Sequence, residues 1–274
     1  MKGAEVAAPP ALIPVLLYHS IADPTSEHPS RFTISPEVFA EHMAHLEGEG
    51  YRSLTVSQLL PVLTGQSQAL PEKAVLVTFD DGFRDFLTEA LPVMERHGIA
   101  STLYVVSGFM GEGDRPGRNR SGDAMLTWGE LAEVAGHGVE VGGHTHTHPM
   151  LDTLPHDAAK EEIARCKDLI EGHLGATAAT FAYPHGYSSA WVRAAVKEAG
   201  YTSACAVKNA MSHTADDPFA IARLMLEVSH TPADFRRMLS GEGMRVATSH
   251  DRLVTRGWRL ARRSRAMAQR RRGA

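Results

Sequence analysis

The chain has 274 residues, 43% of them hydrophobic and 22% charged, with a formal charge of -4 at pH 7, which suits one globular α/β domain with or without a tail. Its two cysteines, Cys166 and Cys205, each lie in an apolar pattern; they exclude a disulfide framework and predict buried free thiols in a reducing compartment. No stretch approaches the length of a membrane-spanning helix, and the apolar run Ala11–Leu17, broken by Pro14, lacks the basic start and cleavage site of a secretory signal, so the cytoplasm is the expected location.

In chain order, Leu12–Tyr18 reads as a strand and Pro36–Glu49 as a helix, opened by the cap Ser35 with a proline in the first turn. Ala74–Phe79 is the next strand, Arg84–His97 the next helix with Gly98 at its end, and Ser101–Val106 a third strand. Gly108–Asp123, rich in Gly, Arg and Asp, predicts a long surface loop that helps shape a substrate site. Thr127 and Glu130 form a capping box before helix Trp128–Ala135, followed by strand Val139–Val141 and helix Asp157–His173. Strands Thr180–Tyr183 and Ser203–Val207 flank helix Ser189–Ala199. Met211–Pro218 reads as a polar loop, Ile221–Val228 as a strand and Pro232–Leu239 as a helix. Repeated strand-then-helix order predicts parallel strands with helical crossovers, closed or nearly closed into a barrel. The chain divides into an N-terminal extension (1–11), this α/β domain (12–243) and an Arg-rich tail (244–274). From Arg252 to Ala274 there are nine arginines and no acidic residue, so setting them aside moves the balance of -4 to -13 on the remainder.

Two clusters carry chemistry. In Val75-Leu-Val-Thr-Phe-Asp80-Asp81-Gly82 a buried strand runs into adjacent carboxylates, which at the C-terminal mouth of parallel strands face the ligand site. Neighbours at a strand end point in different directions, so one carboxylate can bind a metal while the other takes a proton from water; the plain alternative is an Asp-Asp-Gly turn. In Val141-Gly-Gly-His144-Thr-His146-Thr-His148-Pro149, His144 and His148 are four apart and share one side if the segment turns helically. A strand with an imidazole face or a solvated loop fits as well, and His146 has the weaker claim to a metal. One Asp and two His make a facial triad with open positions. Zinc is the first choice of cofactor, with Co2+, Ni2+, Fe2+ or Mn2+ also allowed by the ligand types.

On these residues the sequence resembles the polysaccharide deacetylases of the NodB-homology family, carbohydrate esterase family four. Thr78-Phe-Asp-Asp-Gly82 is similar to the first family motif, His144-Thr-His-Thr-His148 to the second, and Phe181-Ala-Tyr183-Pro184-His185-Gly186 to the third. The resemblance implies a distorted (β/α)7 barrel and hydrolysis of the acetamido group of a GlcNAc-type sugar, with release of acetate. It also implies Asp80 as general base, Asp81, His144 and His148 as metal ligands, and the His185 backbone N–H as oxyanion donor. Tyr183, Pro184, Gly186 and the adjoining Tyr187 would line the substrate groove. Three departures stand out. Ala182 occupies the place of the third motif's arginine, which normally pairs with the base, and Arg223 is the candidate replacement. No Asp-Trp fourth motif is visible. The late strand ends in Val228-Ser-His230 instead of a Leu-x-His fifth motif. Tyr18-His19 resembles the subgroup with permuted motif order, which implies His19 as the general acid, with His230 as the second candidate.

Trp128 and Trp191 read as packing residues. The expected partner is an acetylated amino sugar, not nucleic acid, with a peripheral membrane contact of the basic tail as a further expectation. Two other functions fit the same residues: hydrolysis of a non-carbohydrate amide or cyclic imide, and metal or glycan binding without turnover.

Overall fold

The computed structural model describes residues 10–23, 30–67, 69–248 and 261–265. Seven strands, β1 (Val15–Tyr18), β2 (Ala74–Phe79), β3 (Ser101–Val105), β4 (Glu140–Gly143), β5 (Thr180–Ala182), β6 (Ser203–Cys205) and β7 (Leu224–Met225), form one curled sheet. They lie in the order β6-β5-β4-β3-β2-β1-β7 and all pair parallel. The two edges meet where Cys205 pairs with Ile221 and the Ala206 N–H donates to the Ile221 carbonyl at 2.8 Å. The result is the distorted (β/α)7 barrel expected from the sequence.

Period-two alternation sorts the strand residues onto two faces. Val15, Leu76, Tyr104, Ala182 and Cys205, one from each of five strands, share the inner cluster. Their neighbours Leu16, Val75, Val77, Leu103, Phe181 and Ala204 belong to the outer cluster, which packs under helices α1 (Pro36–Gly48), α3 (Leu91–Arg96), α4 (Trp128–Gly136), α5 (His156–Leu174), α6 (Ala190–Glu198) and α7 (Pro232–Ser240). Helix α2 (Val56–Leu63) instead joins the inner cluster through Val56, Leu59 and Val62. Its N-terminus is held at the start of the strands, where the Glu140 carboxylate accepts from the Ser57 N–H at 3.0 Å and the Ser57 hydroxyl at 3.1 Å. A carboxylate there offsets the positive end of the helix dipole. This helix plugs one end of the barrel and leaves the C-terminal ends of the strands for a site.

Several elements differ from the sequence reading. The first strand splits at Pro14, which has no N–H to donate: Leu12–Ile13 pairs antiparallel with Ser212–His213, and Val15–Tyr18 enters the barrel. The segment Met211–Pro218 is therefore structured, and Asp216 within it is 3% exposed and pairs with Lys208 at 3.3 Å. The helix from Arg84 opens as a π turn, Phe86–Ala90, before α3, because Pro92 at the junction cannot supply the regular backbone bond. The last strand contracts from Ile221–Val228 to Leu224–Met225; Asn209 lies beside it, its N–H donating to the Arg223 carbonyl and its side chain accepting from the Met225 N–H. The loop 108–123 carries a small antiparallel pair, Gly117–Arg118 with Ala124–Met125. Strand Arg52–Leu54, paired to β2, and helix α2 went unread in the sequence. The thiols of Cys166 and Cys205 are free and buried, and Trp128 is core, stacked on His173 at 4.1 Å. Residues 1–9 of the N-terminal extension and 249–260 and 266–274 of the tail lie outside the described residues.

Helix α1 is fastened to the barrel by His42, which is 5% exposed, stacks on Phe235 at 3.8 Å and has its Nδ1 3.0 Å from the Tyr18 hydroxyl. Burial lowers its pKa to about 4. The unfolded chain takes up this proton below about pH 6.5, while the folded chain resists until about 4. Stability contributed by neutral His42 is thus complete above pH 6.5 and lost as pH falls through that window, by up to about 3 kcal/mol. Urea midpoints measured from pH 7 to pH 4 should fall less steeply for His42→Gln than for the parent chain.

Candidate active site and metal centre

The inner face of β2 runs Leu76, Thr78, Asp80, so period two carries Asp80 to the barrel mouth. Asp80 is 3% exposed and accepts two parallel bonds from Arg223, at 2.6 and 2.7 Å. Arg223 is fully buried and also donates to Thr78 Oγ1 at 3.3 Å and to the Ala206 carbonyl at 3.4 Å. Burial pushes the Asp80 carboxyl upward, but the Arg223 charge and hydrogen bonds outweigh it and hold the pKa at about 2. Asp80 is therefore ionised at neutral pH.

Asp81 turns away from Asp80 through a left-handed backbone, φ 76°. Gly82 follows at φ 85°, where a Cβ would lie 3.0 Å from Val105 Cγ1, so the turn requires glycine. Asp81 Oδ1 is buried and has no hydrogen-bond partner among the described residues. Burial, above all, raises the Asp81 pKa to about 6.

His144 follows β4 and is 1% exposed. Its Nδ1 lies 2.7 Å from the Ala182 carbonyl, which can only accept, so Nδ1 carries the proton and the Nε2 lone pair is left free. That Nε2 is 3.5 Å from Asp81 Oδ1, and His148 Nε2 is 3.4 Å from the same oxygen. The ligand atoms of Asp81, His144 and His148 all lie within 4.8 Å of one another. The segment reaches this arrangement without the helical turn considered from the spacing: Thr145 and His148 adopt left-handed backbones, φ 70° and 58°, and Thr145 Oγ1 accepts from the His148 N–H at 3.0 Å. Burial lowers His144 to about 3 and lowers His148 as well, so both are neutral near pH 7. His146 faces the other way, with Nδ1 2.9 Å from the Ser107 hydroxyl.

The third motif contributes differently from expectation. Tyr183 is fully buried and its hydroxyl donates to the Phe219 carbonyl at 2.9 Å, and Pro184 is buried too, so both side chains pack in the barrel wall. The apolar strand end draws them into the core, and the chain emerges only at His185. That residue is left-handed, φ 58°, with its ring 4.8 Å from that of His148, and Gly186 and the half-buried Tyr187 follow it. His19 leaves β1 with a buried Nδ1 that has no hydrogen-bond partner among the described residues, and its ring is stacked on Phe32 at 5.0 Å. It lines a pocket of about 230 Å³ together with Asp81, Phe83 and Asp85. His230 instead accepts from the Glu227 N–H at 3.1 Å, closing its own turn. Four residues near the site escaped the sequence reading. Asp85 accepts from Ser20 at 2.5 Å, Arg120 donates to the Thr147 carbonyl at 3.0 Å, and Arg262 bonds Asp152 at 2.8 Å. No motif or periodicity marks any of them.

A buried carboxylate oxygen without a partner, facing two neutral imidazole nitrogens, fits a divalent cation with one Asp and two His ligands. Such a cluster at the C-terminal mouth of a curled parallel barrel is the arrangement of a polysaccharide deacetylase; the family model of that description matches residues 67–204, and the chain belongs to this family. Among individual proteins, it is 30% identical over 192 residues to YxkH of Bacillus subtilis (strain 168), whose name assigns it to the polysaccharide deacetylases; the match covers 70% of this chain and 63% of that protein. It is 28% identical over 138 residues to the poly-beta-1,6-N-acetyl-D-glucosamine N-deacetylase of Escherichia coli (strain K12), covering 47% of this chain and 20% of that one. The chain thus spans less than two thirds of either relative. The solved structure of IcaB from Ammonifex degensii superposes with a TM-score of 0.71 at 26% identity, covering 84% of this chain and 96% of that one.

Removing Arg223 would strand the Asp80 charge in the barrel. Arg223→Met should cost about 3–5 kcal/mol, read from the urea midpoint, and the double change with Asp80→Asn should recover part of that loss.

Proposed function

We propose that the chain is a metal-dependent N-deacetylase acting on a GlcNAc-type polymer, with release of acetate. The reading is carried by the meeting of Asp81, His144 and His148 within 4.8 Å, beside the separately paired Asp80. The names of its relatives support a GlcNAc polymer as substrate. A divalent cation held by Asp81, His144 and His148, zinc first among the candidates, would supply polarisation of the acetamido carbonyl and a lower pKa for water.

The protein's own groups divide the proton work. Asp80 accepts a proton from the attacking water; Arg223 keeps it ionised at the expense of basicity and fixes its direction. The His185 N–H, presented by the left-handed turn, donates to the oxygen that gains charge as the carbonyl becomes tetrahedral. His19 then protonates the departing amine. Burial lowers its pKa, with Asp81 and Asp80 opposing, so His19 is neutral at rest; as negative charge builds beside it, it takes up the proton that Asp80 removed from the water and passes that proton to the amine. Its place in the pocket with Asp81 favours it over His230 as the acid. Arg223 also offsets Ala182 at the third motif's usual arginine, which weakens the case for a non-carbohydrate amide. The complete polar set argues against a binding protein without turnover.

Among the described residues no helix is long and apolar enough to cross a membrane. Two buried free thiols fit a reducing compartment, the cytoplasm, as the place of action. The basic tail's membrane contact falls mainly on residues outside those described.

Acetate release from β-1,6- and β-1,4-linked GlcNAc oligomers, measured after chelation and after metal is added back, tests the reading; no release with either oligomer from the metal-loaded chain would sink it. Asp80→Asn should retain bound metal, read by elemental analysis, while turnover falls by about 10²–10⁴-fold. His19→Ala should lose turnover to a similar degree and His230→Ala should not, compared side by side in the same assay.

A further inference from the structure

The basic tail is joined to the barrel mouth at one described point. Arg262, in residues 261–265, donates to Asp152 Oδ2 at 2.8 Å, and the Asp152 side chain is fully buried. The same guanidinium lies 3.5 Å from the centroid of the Tyr187 ring. A planar guanidinium can bond a carboxylate through its edge while its face covers an aromatic ring, which an ammonium cannot do. From there a series of rings leads to the metal ligands: Tyr187 to His185 at 6.0 Å, His185 to His148 at 4.8 Å, and His148 to His144 at 4.9 Å.

The segment so reached is one that needs support. His185 holds a left-handed backbone that non-glycine residues disfavour. Gly186 behind it, at φ 73°, packs so closely on Val207 that a Cβ would come within 2.5 Å. On its outer side Tyr187 is half-buried, and Arg262, with 15% of its side chain exposed, backs the ring. Arg262 and Asp152 also both act electrostatically on His185. Since Arg262 is already paired with Asp152, it is not an open anion site.

We propose that Arg262 is a positioning residue: by stacking on Tyr187 and bonding buried Asp152, it braces the His185–Tyr187 turn against the metal side of the groove. The tail is then a part of the active-site wall. The effect on turnover rests on the deacetylase reading; the bracing itself does not.

The test uses the full chain with Arg262→Ala, Arg262→Lys, Tyr187→Leu and the Arg262→Ala/Tyr187→Leu double variant. Two readouts are taken, kcat and KM for acetate release, and hydrogen exchange of the backbone amides of residues 183 and 185–188. In Arg262→Ala exchange at these amides should speed up by about tenfold, and kcat should fall by about tenfold with KM changed less than about twofold. Tyr187→Leu should change both readouts in the same direction, and the double variant should be no worse than Arg262→Ala, because the alanine change already removes the stack on Tyr187. Arg262→Lys keeps a charge for Asp152 without the stacked plane and should resemble Arg262→Ala; it carries the test if the alanine variant does not fold. Added guanidinium should restore part of the kcat of Arg262→Ala. Unchanged exchange, or effects of the two single changes that simply multiply, would overturn the proposal. If the parent chain releases no acetate, the deacetylase reading fails while the exchange measurement still decides the bracing.

Discussion

Two adjacent carboxylates cannot both stay charged in a buried barrel mouth unless each has its own positive partner. Much of the site follows from this constraint. Asp80 has its partner in Arg223, and the pair is bidentate and buried. Asp81 has no such paired partner among the described residues, and burial raises its pKa. The same burial that penalises Asp81 as a free anion favours it as a cation ligand. The two imidazoles opposite it are kept neutral by burial as well, and a neutral imidazole is the form that binds metal. Neighbouring residues of one type thus acquire opposite electrostatic characters from where their partners lie.

The backbone bears the cost of bringing these groups together. Asp81, Thr145, His148 and His185 are four of the five non-glycine residues with positive φ among those described. Such conformations persist only where the surroundings over-determine them. Here the surroundings are a parallel barrel sealed at its other end by α2, where the Glu140 carboxylate accepts from Ser57 and Thr180. A rigid floor of this kind lets strained loops be held open at the opposite face. The tail adds a brace from outside, through Arg262 and Asp152.

Much of the fold and part of the site could be read in the residues themselves. Strand-then-helix order with period-two apolar runs determines a parallel α/β barrel, because only a doubly covered sheet accommodates such strands. Thr78 to Gly82 and His144 to His148 mark the cluster of Asp81, His144 and His148, because those side chains combine ligand chemistry with strand-end positions. Local rules also located the capped starts of α1 and α4. They failed where the deciding partner was distant in the chain. Tyr183 reads as a groove residue beside His185, but the depth of β5 buries it. Met211–Pro218 reads as loop, yet a far segment, Leu12–Ile13, makes Ser212–His213 within it a strand.

Tertiary structure alone decided the electrostatics. Arg223 stands 143 positions from Asp80 and was marked only by the resemblance, with Ala182 at the usual arginine; Arg262 stands 110 from Asp152, and no periodicity or motif announces that pairing. The sequence by itself determined which chemical groups are present and which strand ends carry them, since alternation and turn chemistry act over a few residues. Barrel closure determined which charges face each other, because pKa and orientation depend on distance through space and on exclusion of water.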